Sequence, residues 1–295
     1  MKIAITGAAG LFGYGLAQIL GAGHTVTALT HSDADITQPE KIRSLFEKLK
    51  PDVIVHPAGI PDLDICEADP ARAFLVNVHG TRNVVEAART IGAAVACISS
   101  DAVFDGKKQT PYTESDTAVP PTVYGRTKLL SERAVQTLPQ HWIFRVSVLF
   151  GPGKTNSIEK ELRALAAGEP YVVAADQLGS ATYTLDAARK IQEVVEARRY
   201  GLYHLSNQGA CTRLELALHA AEVAGLDVRE VVGKLSREMG RRAVRLPYAV
   251  MEMQALKQAG FALPRPWQEA VTDYVCSLPF VQKRSAAPAA EKSKA

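Results

Sequence analysis

Cysteine is scarce in this 295-residue chain: Cys66, Cys97, Cys211 and Cys276 lie far apart, and no C-x-x-C pair exists. Neither a dithiol motif nor a cysteine-built zinc site is suggested, and the four read as free buried thiols in a reducing cytoplasm. The seven histidines are dispersed with no H-E-x-x-H pattern, so no metal site is expected. Long apolar runs are missing too; none approaches the roughly 18 residues that a membrane span needs. Met1–Gly7 has only Ile3, Ala4 and Ile5 as apolar residues after Lys2, too few for a secretory leader. An excess of either charge is also lacking. Lys plus Arg total 34 and Asp plus Glu 31, and the net of +3 resides in residues 283–295, where Lys283, Arg284, Lys292 and Lys294 face Glu291. A neutral body offers no broad basic footprint, so neither nucleic acid nor membrane is an expected partner. The segment 283–295 has no large apolar side chain and is expected to be disordered.

What is present is the balance of a globular protein, 47% hydrophobic and 22% charged, in a chain long enough to bury a core without staples. Apolar spacing predicts strands at Lys2–Thr6, Thr25–Leu29, Val53–Val55, Ala94–Ser99 and Ile143–Leu149, with helices at Leu11–Leu20, Pro39–Leu49 and Pro70–Ile91. Strands without strict polar alternation, joined by helices, mean a parallel sheet covered on both faces. The fold class is therefore α/β, a doubly wound (Rossmann) sheet. Past residue 150 the rhythm loosens into helices at Ser157–Ala167, Leu185–Ala197 and Leu214–Ala224 and strands at Tyr171–Ala174 and Leu202–Leu205. This predicts residues 1–150 as a dinucleotide-binding unit, with parts of 175–205 returning to it. Residues 151–280 form a smaller mixed C-terminal substrate lobe.

Thr6-Gly7-Ala8-Ala9-Gly10-Leu11-Phe12-Gly13 joins the first strand to the first helix. Gly7 suits a tight turn, Gly10 admits a diphosphate to the main chain, and Gly13 lets helix pack on strand. The N–H groups that open the helix at Leu11 and Phe12 then face the anion. The second strand ends at Thr30-His31-Ser32 with no acid to grip a ribose 2′-hydroxyl, which favours NADPH with NADH also accepted. Asp33 or Asp35, turned toward the ribose, would reverse that order.

Tyr124 and Lys128 are four residues apart at the start of a helix and share one face. A free phenol has a pKa of about 10, and a neighbouring ammonium is expected to lower it. Reduction of a carbonyl needs hydride on carbon and a proton on oxygen; a nicotinamide supplies the first and a tuned phenol the second. Ser100 follows a predicted strand at its carboxyl end, where ligands bind in such sheets, and its hydroxyl can fix a carbonyl.

On these residues the chain resembles the extended short-chain dehydrogenases/reductases, and more narrowly the dTDP-4-dehydrorhamnose reductase family. The resemblance rests on Gly7-x-x-Gly10-x-x-Gly13, Asp35-Ile36-Thr37, Ser99-Ser100-Asp101-x-Val103-Phe104-Asp105-Gly106, Val123-Tyr124-Gly125-Arg126-Thr127-Lys128 and Asp176-Gln177-x-Gly179. It implies reduction of a nucleotide-linked 4-keto-6-deoxy sugar by NADPH or NADH, with Ser100, Tyr124 and Lys128 catalytic. Gly7, Gly10, Leu11, Phe12, Gly13, Thr30, His31, Asp35, Ile36, Pro57, Ala58, Gly59, Tyr124 and Lys128 would hold the cofactor. Ser100, Asp101 and Val148 would meet the sugar, Val148 standing where the family has a tryptophan. A cytoplasmic homodimer is the expected form. Two rivals remain: an epimerase or dehydratase that recycles bound NAD, and a regulatory subunit resembling the methionine adenosyltransferase β subunit, which binds NAD(P) and acts through a partner.

Four features carry blander readings. Asp62, Asp64, Glu67 and Asp69 read as a solvated loop and helix start. Asp105 reads as a turn residue and His56 as a packed strand-end histidine. Arg145 is open between a substrate and an internal carboxylate.

Overall fold

The computed structural model describes the backbone of residues 1–286 and the side chains of residues 1–282. The first half alternates strand and helix: Lys2–Thr6 (β1), Leu11–Leu20 (α1), Thr25–Leu29 (β2), Pro39–Leu49 (α2), Val53–His56 (β3), Leu63–Ala68 (α3), Pro70–Ala73 (α4), Gly80–Ile91 (α5), Ala94–Ser100 (β4), Val123–Val135 (α6) and His141–Val146 (β5). Six strands, the sixth being Gly201–His204, form one parallel sheet with β2 at one edge, then β1, β3, β4, β5 and Gly201–His204. The order turns back between β1 and β3. One crossover leaves β1 outward to β2 and the next returns to the far side of β1, so a crevice opens at the carboxyl ends of β1 and β3.

Burial explains why these strands lack alternation. Ile3 and Ile5 pack with Leu16, Leu20 and Phe144 on one face, while Ala4 packs with Ile42, Phe46 and Ile54 on the other. Every residue of β4 is buried. Burying Phe46 or Phe144 stabilises the fold by roughly 1.5–3 kcal/mol each. α2 shows the matching helical pattern, with Ile42 and Phe46 inward and Glu40, Arg43 and Lys48 outward.

Two predicted segments are interrupted. The helix predicted over Pro70–Ile91 is continuous but contains a π-helical stretch, Phe74–His79, between α4 and α5. The strand predicted over Ile143–Leu149 ends at Val146. Ser147 N–H turns to the Thr182 hydroxyl and Val148 C=O accepts from Thr182 N–H, which takes the chain out of the sheet before Leu149–Phe150 (β6).

The second half adds Ser157–Ala166 (α7), Tyr171–Ala174 (β7), Leu178–Gly179 (β8), Thr182–Tyr183 (β9), Thr184–Glu196 (α8), Gly201–His204 (β10), Cys211–Thr212 (β11), Arg213–Val223 (α9), Val231–Lys234 (β12), Tyr248–Ala249 (β13), Gln254–Gln258 (α10), Trp267–Ser277 (α11) and Pro279–Ala286 (α12). Small sheets β11–β8–β13, β7–β12 and β6–β9 surround a second apolar cluster that includes Phe150, Leu162, Tyr183, Leu216, Trp267 and Tyr274. α8 and β10 return to the large sheet, α8 against α1. The predicted disordered tail begins inside α12, which runs to Ala286; the remainder of 283–295 lies outside the described residues. Among the described residues no helix is long and apolar enough to cross a membrane.

Candidate active site

The turn between β1 and α1 is built to tight tolerance. Gly7 has φ +63°, which a glycine adopts without strain. A Cβ on Gly13 would sit 2.2 Å from the Gly7 carbonyl oxygen and 2.8 Å from Ala8 Cα, so helix and strand meet there as closely as backbones can. Gly10 precedes α1 with no side chain capping the helix start, which leaves the opening N–H groups to an anion. Leu11 is half-buried, whereas the Phe12 side chain belongs to the core; only its main chain can face a ligand. This bare, side-chain-free cradle fits a dinucleotide diphosphate.

At the end of β2, Ala8 N–H reaches Leu29 C=O (2.9 Å), which brings Thr30 beside the glycine turn. Asp33 folds back to accept from Thr30 N–H (2.9 Å) and the Thr30 hydroxyl (2.6 Å), and Asp35 accepts from Thr37 N–H (3.0 Å) and its hydroxyl (2.7 Å). These bonds hold both carboxyls below their ordinary pKa. His31 is exposed, and Ile36 is buried against Gly80.

Pro57, Ala58 and Gly59 follow β3, with Ala58 Cα against Gly7. Sequence reasoning missed what fixes this loop. Asn77, buried in the π-helical stretch, accepts from Ile60 N–H (2.7 Å) and donates to Ile60 C=O (3.1 Å) and to the Thr127 hydroxyl (3.0 Å). Its own carbonyl accepts from Ser131 Oγ (2.7 Å). One side chain therefore ties the β3 loop to α6, on which Tyr124 and Lys128 stand.

Thr122 caps α6 through Gly125 N–H (3.0 Å), which sets the face that Tyr124 and Lys128 share. Ser100 is the last residue of β4, and its hydroxyl lies close enough to the Tyr124 hydroxyl to lower the phenol's pKa. The expectation that Lys128 acidifies this phenol is not met. Lys128 Nζ donates to Ile98 C=O (2.5 Å), and burial drives the Tyr124 pKa up, with the charge of Asp101 adding to the rise and the Ser100 hydrogen bond opposing it. A phenol short of water is disfavoured as an anion.

Beside Ser100 opens a cavity of about 120 Å³ lined by Leu63, Ser100, Asp101, Ser147, Val148, Gln177, Arg213 and Arg245, among others. Ser100, Asp101 and Val148 are thus brought together as the sequence predicted. Asp101 accepts from Ser100 Oγ (2.8 Å) and Ser147 Oγ (2.5 Å); burial raises its pKa against those two bonds and the charge of Arg213. Ser147 and Arg213 were not foreseen. Arg245 is held by Asp64 (2.8 and 3.2 Å).

The remaining residues settle as follows. Asp62 and Asp69 cap α3 and α4, and Glu67 accepts from Val123 N–H at the start of α6 (2.8 Å), so three of the four acids serve helix starts, while Asp64 pairs with Arg245. Among the described residues no cluster of acids, histidines or cysteines could hold a metal ion. Asp105 accepts from Lys107 N–H (3.1 Å) and Tyr112 OH (2.6 Å), a turn role. Arg145 pairs with the internal carboxylate: its Nε and Nη2 bond Glu132 at 2.8 and 2.7 Å, both side chains buried, and Ser99 Oγ donates to the same carboxylate. His56 is packed between Thr6 (2.7 Å) and Thr81 (3.0 Å), and burial pushes its pKa down to about 3. The Thr81 hydroxyl donates to Asn77 C=O (2.6 Å), so it accepts from His56 Nε2–H, and Nδ1 accepts from Thr6. Cys66, Cys97 and Cys211 are buried free thiols, but Cys276 is exposed, on the outer side of α11.

The profile of the RmlD substrate binding domain family matches residues 1–279. The chain is 34% identical over 288 residues to the spore coat polysaccharide biosynthesis protein SpsK of Bacillus subtilis, covering 97% of this chain and 99% of that protein. It is 36% identical over 282 residues to a dTDP-4-dehydrorhamnose reductase of Mycolicibacterium smegmatis, covering 94% and 86%. The crystal structure of dTDP-4-dehydrorhamnose reductase from Bacillus anthracis in complex with NADP matches with a TM-score of 0.91 at 29% identity, covering 94% of this chain and 99% of that one.

Proposed function

The chain belongs to the RmlD substrate binding domain family, and from that premise we propose that it is an NAD(P)H-dependent reductase of a nucleotide-linked 4-keto-6-deoxy sugar, similar in its reaction to the dTDP-4-dehydrorhamnose reductases. The observation that supports this reading is the closeness of the Tyr124 and Ser100 hydroxyls, Ser100 lining a pocket at the same carboxyl end of the sheet as the glycine cradle. Residues 1–150 with parts of 175–205 take the cofactor side, and residues 151–280 mainly the substrate side.

When bound, NADPH or NADH supplies the hydride. The turn Gly7–Gly13 receives its diphosphate, Thr30 and His31 flank the adenosine ribose, Asp35 and Ile36 border the adenine, and Pro57, Ala58 and Gly59 line its path along β3. Lys128 holds the nicotinamide ribose. Tyr124 gives its proton to the carbonyl oxygen; a phenol with a raised pKa stays protonated at neutral pH and is ready to donate. Ser100 fixes the carbonyl, and Asp101 and Val148 border the sugar. We propose a cytoplasmic enzyme that forms a homodimer, an assembly that light scattering on the purified protein tests directly.

Tyr124→Phe should lower kcat by ~10²–10⁴-fold while NADPH affinity, read by fluorescence, stays close to wild type. Near wild-type turnover in that variant removes Tyr124 from its role. Cofactor binding by the wild type with no reduction of any nucleotide-linked keto-sugar would overturn the enzyme reading in favour of a regulatory subunit.

A further inference from the structure

We propose that Asp101 is a positioning residue: it sets the direction of the Ser100 hydroxyl and so decides whether Ser100 can donate to the carbonyl that Tyr124 protonates. This rests on the reductase reading above.

A hydroxyl has one proton to give and two lone pairs to offer. Ser100 gives its proton to Asp101 Oδ1 (2.8 Å) and accepts from Ala102 N–H (3.1 Å). The Tyr124 hydroxyl lies near enough for Ser100 to lower its pKa. The second carboxyl oxygen of Asp101 accepts from Ser147 Oγ (2.5 Å). An ionised Asp101 thus takes both serine protons, and the Ser100 proton points away from the carbonyl beside Tyr124. A neutral Asp101 carries an O–H of its own. Bonded to Ser100 Oγ, that O–H frees the Ser100 proton to turn to the carbonyl oxygen, which then receives two donors instead of one. A donor aimed at a developing oxyanion is worth ~10²–10³ in kcat. The balance is simple: the Tyr124 proton ends on the substrate oxygen, and Asp101 keeps its proton throughout.

The charged and titratable groups around Asp101 are Tyr124 from α6, Arg213 at the start of α9 and Arg245 across the cavity. Burial raises the Asp101 pKa and Arg213 opposes the rise, with burial the larger. Burial also raises Tyr124, from an ordinary value already well above that of a carboxyl, so the two ionisations are separable.

The test is the pH profile of kcat with saturating NADPH and a dTDP-linked 4-keto-6-deoxy sugar. Wild-type kcat should fall by ~10-fold or more as pH rises through the Asp101 ionisation, above the usual carboxylate range, with KM little changed. Asp101→Asn cannot ionise and offers Nδ2–H to Ser100, so this limb should vanish. Ser147→Ala removes a donor that favours the ionised form, so the limb should move to higher pH. A limb that persists in Asp101→Asn overturns the proposal, as does an Asp101→Ala that raises KM alone and keeps the wild-type profile, the mark of a plain sugar contact. Melting temperature and NADPH affinity check that Asp101→Asn folds; if it does not, Ser147→Ala decides. If the wild type reduces no keto-sugar, the reductase reading falls by itself. The geometry is then judged by carbon-13 NMR, in which the Asp101 carboxyl should titrate at higher pH in Ser147→Ala than in wild type; equal titration overturns it.

Discussion

The two sides of the candidate site are made of different material. The cofactor side is main chain: a glycine turn between neighbours in sequence, at the reversal of strand order, with closeness of approach as its working property. The sugar side is side chain: Ser100, Ser147, Gln177, Arg213 and Arg245 come from five separate stretches and meet only in the folded chain. The first tolerates no added atom, whereas the second depends on keeping charges and hydroxyls partnered. Between them stands α6, which carries Tyr124 and is pinned to β4 and β5 by the buried Glu132–Arg145 pair.

The sharpest way to break this contrast is to remove one charge from that pin. Glu132→Ala strands a buried guanidinium and should destabilise the protein by ~3–5 kcal/mol, read from the urea midpoint. An effect under 1 kcal/mol would mean that the pair does not hold α6. Next comes a single methyl on the main-chain side. Gly13→Ala places a Cβ 2.2 Å from the Gly7 oxygen and should cost ~1–3 kcal/mol while weakening NADPH binding. Unchanged affinity would show that the turn is not the cradle.

A third comparison separates the halves by pH. In the large sheet, His56 and His204 are held neutral, with pKa values pushed by burial from 6.5 down to about 3. The unfolded chain binds the extra protons, so their stabilisation is complete above about pH 6.5 and is lost as pH falls toward 3. In the second cluster, burial pushes Glu161 from 4.5 up to about 8. Its stabilisation is complete below pH 4.5 and is lost as pH rises toward 8. Each group contributes a slope of up to ~1.4 kcal/mol per pH unit. Two histidines outweigh one glutamate between pH 4.5 and 6.5, so stability should peak near pH 6.5. Glu161→Gln should flatten the decline on the alkaline side and steepen the rise between about pH 4.5 and 6.5, where the histidines then act unopposed; an alkaline decline that persists would assign it elsewhere.

The same division governs what could be read from the sequence. The glycine turn, α1, α2 and β2 are local: their apolar spacing and breakers lie within a few residues, and the predicted bounds agree with the structure. Ser100 and Tyr124 were legible because each sits at a strand or helix end, and Lys128 because it stands four residues past Tyr124 on the same helix face. Ser147 and Arg213 were not. Ser147 fell inside a predicted strand and Arg213 just before a predicted helix, and only long-range packing brings them to Asp101. The Tyr124 pKa was misread for a related reason. Spacing reveals that a lysine shares a helix face, but not how much water the phenol has lost or which carbonyl the lysine has already found.

The π-helical stretch Phe74–His79 carries a further consequence. It holds one residue more than the regular winding needs. A single deletion there would restore ordinary winding with the flanking turns kept in place, but it would carry Asn77 out of reach of Ile60 and Thr127, the bonds that tie the bulge to α6. The chain is thus locked to its own irregularity: the surplus residue cannot be trimmed without unseating the helix that bears Tyr124.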